Sequence, residues 1–106
     1  MISLHQANLG GAQLSNFWLT GSSLFVANLK GANLSQASLQ DAKLFGANLE
    51  GANLKGTILD GADLGSANLR GADLYGDEIS GVANEQKLEE QVASLAGTMP
   101  DGTEHP

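Results

Sequence analysis

The side chains able to do chemistry in this 106-residue chain are few. His5 and His105 carry the only imidazoles, 100 residues apart. An imidazole becomes a general base when a nucleophile and an orienting group sit beside it, and neither histidine has a serine–carboxylate arrangement around it, so both read as solvated surface. Asp60, Asp63, Asp73, Asp77 and Glu78 bring several carboxylates into one stretch. Such a group could serve acid–base work or hold a cation weakly, but the spacing of a calcium loop is missing. Solvated or turn-capping carboxylates are the plainer reading. The short glycine-rich runs are not followed by Lys-Ser/Thr opening a helix, so they are not phosphate loops. With no cysteine, disulfides and thiolate metal sites are excluded. The expectation is a non-enzyme with no catalytic residue, no cofactor and no metal.

The element that positions these residues is a repeat. Leucine recurs at every fifth position from Leu4 to Leu74, and Ile79 continues the series. Two residues before it stands mostly alanine, as in Ala27, Ala47 and Ala67. Two residues after it stands usually glycine, as in Gly31, Gly51 and Gly71. The residue preceding leucine favours Asn or Asp. A helix turns through roughly 500° in five residues, which would carry the leucines right around the cylinder. A flat strand would flip every second leucine to the opposite face. An extended Ala-x-Leu triplet followed by a two-residue corner keeps every leucine inside, with glycine supplying the freedom a corner needs.

Four corners make a coil of 20 residues, and the outward positions support that lag. Asn8, Asn28, Asn48 and Asn68 fall in one column, Gly11, Gly31, Gly51 and Gly71 in another, and Phe25 lies one coil from Phe45. A three-sided coil of 15 would scatter them. Residues 1–82 therefore form an all-β solenoid of about four coils with leucine and alanine inward. Residues 83–106 form a second segment: Asn84 can cap a helix over 85–96, in which Leu88, Val92, Leu95 and Ala96 share one face. Gly97 ends that helix and Pro100-Asp101-Gly102 makes a turn. The helix is expected to lie across the last coil as a cap.

These tandem units, such as Ala27-Asn28-Leu29-Lys30-Gly31 and Ala62-Asp63-Leu64-Gly65-Ser66, resemble the pentapeptide-repeat family over residues 2–81. The resemblance implies a right-handed quadrilateral β-helix. Phe17, Ser22, Thr57 and Asp77 depart from it at the alanine site, and Trp18, Lys43 and Ile58 at the Asn/Asp site. The tail from Thr98 to Thr103 is similar to that of many cyanobacterial members. The family is functionally diverse, so fold alone assigns no function.

Charge and surface bound the function. The net charge of −7 argues against phosphate neutralisation and hence against nucleic acid. Residues 1–82 hold seven acids against four bases, and residues 83–106 five acids against Lys87. No apolar run is long enough for a bilayer, so no membrane association is expected. No signal peptide is visible, which makes the cytoplasm the default location. The Asn column reads as stacked amides that satisfy one another, and Lys30, Glu50 and Arg70 as modest surface ion pairs.

Candidate interaction residues are the apolar ones turned outward. Phe25 and Phe45 should stack on one side with Val26 beside them, while Trp18 stands where polar residues are usual, as does Ile58. Either local packing or a binding surface accounts for them. Ile2 and Phe17 belong to an N-terminal coil that reads as open, with Phe17 as a plug or as part of a surface for a second chain. The expected function is a non-enzymatic scaffold offering rigid faces to a protein partner, with a possible homodimer through the N-terminal coil. An acidic, DNA-mimicking rod that binds a topoisomerase, as some members of the family do, is the second reading. The nearly balanced body and the lack of an interrupting loop count against it.

Overall fold

A computed structural model describes residues 3–75 and two short strands, β1 (Gly97–Thr98) and β2 (Glu104–His105). The strands β1 and β2 pair antiparallel, Gly97 opposite His105 and Thr98 opposite Glu104. The helix expected over 85–96 and residue Ile2 lie outside the described residues.

Between residues 3 and 75 the chain coils with the expected lag. Parallel bridges join Ser3 to Ser23, Asn8 to Asn28, Gln13 to Asn33 and Trp18 to Ser38, and the same four columns continue up to Asp73. Four bridge columns per 20 residues are four sides. Apart from Ser3–Ser23, each bridge carries two backbone hydrogen bonds, as in Leu29 N–H to Asn48 O at 2.7 Å and Asn48 N–H to Ala27 O at 2.9 Å. The side is so short that only its central residue pairs. The solenoid is therefore a stack of single-residue bridges rather than of long strands.

The corners explain the period. Every fifth residue from Gln6 to Gly71 has φ between 56° and 73°. The N–H of the residue after it donates to the leucine carbonyl three positions back, as Ala32 does to Leu29 at 3.0 Å. A left-handed residue in third place and an i to i+3 hydrogen bond define a type II turn, for which glycine is the natural third residue. Eight of these positions are glycine. The other six are Gln6, Asn16, Val26, Gln36, Asp41 and Ser66.

Inside, the leucines from Leu19 to Leu74 and the alanines from Ala27 to Ala72 are at most 2% exposed. At roughly 25 cal/mol for each Å² of apolar surface removed from water, this continuous Leu/Ala column is what holds the coil shut. Two alanine sites carry buried hydroxyls. Thr57 donates its Oγ1 to the Leu34 carbonyl of the coil before, at 2.8 Å. The Ser22 hydroxyl is buried with no hydrogen-bond partner.

Candidate interaction faces

The residue before leucine has a duty in the corner. Asn28, Asn48 and Asn68 each accept, through Oδ1, the backbone N–H two residues on, at 3.0 Å. Asp63 and Asp73 do the same at 2.9 and 3.1 Å. This is an Asx turn, and it uses only an acceptor oxygen, which is why Asn and Asp interchange there. The Asn column was expected to be a ladder of mutually bonded amides. Asn28 Nδ2 does donate to Asn8 Oδ1 at 3.1 Å, but the recurring role of the oxygen is to fasten the turn. Ion pairs join Lys30 to Glu50 at 3.4 Å and Lys55 to Asp73 at 3.6 Å, all on the outside.

A different surface runs through positions 5, 25, 45 and 65. The Phe25 and Phe45 rings meet edge to face with centroids 6.5 Å apart, an attractive arrangement for two aromatic quadrupoles. The His5 ring extends the row, tilted 57° to Phe25 at 6.0 Å. Phe45 then leans over Gly65, where an added Cβ would stand 2.9 Å from its Cδ2. Four successive coils thus build one aromatic ladder ending on a glycine shelf. Val26 flanks it, half exposed, over Gly46, where an added Cβ would stand 3.4 Å from its Cγ2. Phe25, Phe45 and Val26 are brought together as expected. His5 and Gly65 were missed as members, although the 20-residue lag points to both.

The remaining candidates lie elsewhere. Trp18 bridges Ser38 on another side and is 86% exposed, with Ile58 one coil further along that column. Phe17, at an alanine site of the first coil, is half exposed. Among the described residues no group of three or more His, Asp or Glu converges as a metal site would need. Asp77 and Glu78 of the carboxylate cluster lie outside the described residues.

Comparison with known proteins agrees with this geometry. The family model described as pentapeptide repeats (8 copies) matches over residues 7–44, 22–61 and 37–76. A pentapeptide repeat protein of the Arabidopsis thaliana thylakoid lumen is similar at 31% identity and a TM-score of 0.74, over 88% of this chain and 60% of its own. Rfr23 of the cyanobacterium Cyanothece is 38% identical over 76% of this chain and 55% of its own, with a TM-score of 0.39. HetL of the cyanobacterium Nostoc, a protein involved in regulating heterocyst differentiation, is 31% identical over 97% of this chain and 49% of its own, also at 0.39. The chain spans about half to three-fifths of the length of these proteins. No curated protein matches. With its five-residue unit, type II corners and Leu/Ala interior, the chain belongs to the pentapeptide repeat family, whose fold is a right-handed quadrilateral β-helix.

Proposed function

We propose that the chain is a non-enzymatic scaffold that docks a protein partner on the side carrying His5, Phe25, Val26 and Phe45. Pentapeptide repeat proteins are in general repeat scaffolds of this kind, and the interior here is filled with leucine.

The observation that carries the reading is Val26. It is β-branched, half exposed and left-handed, with φ 57°. A left-handed conformation costs an L-residue roughly 1–2 kcal/mol, and β-branched residues rarely adopt it. Glycine fills most of the equivalent corners without that cost. Strain retained on a surface residue marks a use for the side chain, and Val26 widens the aromatic ladder into a patch. The charges along the rod alternate rather than forming an acidic stripe, with Asp41, Glu50, Asp60, Asp63 and Asp73 against Lys30, Lys43, Lys55 and Arg70, so a protein face suits this surface better than DNA mimicry does.

The test compares three immobilised proteins in lysate of the source organism: the parent, Phe25→Ser/Phe45→Ser and Val26→Gly. A protein held by the parent and lost from both variants, with Val26→Gly folding at least as stably as the parent, is the expected result. A partner retained equally by all three overturns the side assignment. A topoisomerase supercoiling assay with added parent should show no change; protection of the enzyme would favour the DNA-mimic reading instead.

A further inference from the structure

Trp18 stands outward from the rod where Asn or Asp is usual, and its ring is exposed. Its place on the side is fixed by the bridge to Ser38, which in turn bridges Ile58. The three share one side of the coil, built by residues 17–21, 37–41 and 57–61. The hydroxyls within that side are engaged with each other, Thr20 Oγ1 with Ser38 Oγ at 2.8 Å. The indole and the partly exposed Ile58 are its apolar surface.

Charge is spread unevenly over the four sides. Lys30 pairs with Glu50 and Lys55 with Asp73, and Lys43 bridges Asp63 in one column. Arg70 follows Glu50 one coil on, in the column of Lys30. Every Lys and Arg between residues 3 and 75 therefore lies on three sides. The side of Trp18 holds none of them in its described coils, yet it carries Asp41 and Asp60. These two acids meet at one corner. The Asp41 N–H donates to the Asp60 carbonyl at 2.9 Å, and the Asp41 carboxylate covers Gly61, where an added Cβ would collide with Oδ1. Coils repeat every ~4.8 Å, so this corner lies one to two coils from the indole.

The chemistry that fits is cationic. An exposed indole attracts a cation to its face. A guanidinium also stacks on the ring and presents a fork matched to a carboxylate. One such group over Trp18 and another at Asp41 and Asp60 would use both features, with Ile58 offering apolar contact beside them. The net charge of −7 draws a cationic ligand from a distance. Width sets the shape of that ligand. One side is three residues across between corners, roughly 10 Å at about 3.3 Å per residue. That seats a single extended segment, and not the roughly 800 Å² that a folded partner covers. Two carboxylates are also too few to imitate the dense phosphates of DNA.

We propose that the side of Trp18, Asp41, Ile58 and Asp60 is a docking site, separate from the aromatic ladder, for an extended arginine-rich segment of a protein. Trp18 is the only tryptophan of the chain, so its fluorescence reads this side directly. The probe is a hexa-arginine peptide titrated into the full chain at low salt, with hexa-lysine and hexa-glutamine as comparisons. A saturable change in Trp18 emission is expected with hexa-arginine, a weaker one with hexa-lysine and none with hexa-glutamine. Added salt should weaken the binding. Asp41→Asn/Asp60→Asn should lower affinity on the order of tenfold. Asparagine tolerates the left-handed φ of residue 41, so this variant keeps its corner. Trp18→Ala, followed by calorimetry, should lower affinity about threefold. Phe25→Ser/Phe45→Ser should bind as the parent does, whatever becomes of docking on the ladder. Binding that leaves the emission unaltered and is indifferent to the two asparagines belongs to the acids of residues 83–106 and overturns the proposal. Equal binding of hexa-glutamine, loss of binding in the Phe25/Phe45 variant, or no binding at low salt overturns it as well.

Discussion

The first coil and the coils above it are written in the same five-residue unit, yet they sit in different physical situations. From Leu24 onward each described leucine is shielded from water, whereas Leu4, Leu9 and Leu14 are only partly buried. The amides of Asn28, Asn33 and Ser38 are paired to the coil before, while those of Asn8, Gln13 and Trp18 have no acceptor among the described residues. Thr57 has an acceptor for its hydroxyl and Ser22 has none. In a repeat protein stability is a sum over neighbouring pairs, so a residue's worth depends on how many neighbours its coil has, and not on its type.

The comparison breaks most visibly at the axis. Leu49→Asp should abolish folding, because a carboxylate with no partner on the buried column costs several kcal/mol. That is a large share of the ~5–15 kcal/mol that holds a domain together. Leu9→Asp, with water within reach of the first coil, should leave a cooperative transition at lower temperature. Thermal unfolding by circular dichroism distinguishes the two, and equal losses would remove the difference between the coils.

A smaller pair sharpens it with opposite signs. Ser22→Ala removes a buried orphan hydroxyl and should stabilise by about 1 kcal/mol, whereas Thr57→Val removes a made hydrogen bond and should destabilise by about 1 kcal/mol. Urea denaturation of the two variants against the parent reads both. Destabilisation by Ser22→Ala in dilute monomer would mean that the hydroxyl has a partner after all.

The smallest effect is expected outside. Lys30 and Glu50 lie 3.4 Å apart with side chains 64% and 43% exposed, and exposed pairs contribute under about 1 kcal/mol. Lys30→Ala should shift the denaturation midpoint little, and less still at high salt.

Much of this fold was legible in the residues because counting is enough to read it. Leucine at every fifth position excludes helix and flat strand, and the repeated Asn, Gly and Phe identities at lag 20 select four sides. The Phe25–Phe45 contact followed from the same lag. The turn-fastening oxygen of Asn28 or Asp63 was not legible, since an outward Asn looks the same whether it bonds its neighbour's amide or its own backbone. His5 was set aside as solvated, although the 20-residue lag puts it in the column of Phe25, where the two rings meet at 6.0 Å. Val26 reads in sequence as one more surface valine; its cost appears once its φ is known.

The sequence alone determined the inside of this protein: which residues point to the axis, how many make a coil and that the corners need backbone freedom. Those properties are periodic, so local sterics repeated many times leave one solution. Tertiary structure alone decided the fate of non-periodic features. Whether Ser22 meets an acceptor and whether Phe45 finds room over Gly65 depend on what the adjacent coil places there. A hydrogen bond or a ring contact across 20 residues is a matter of tenths of an ångström, which spacing in a sequence does not carry.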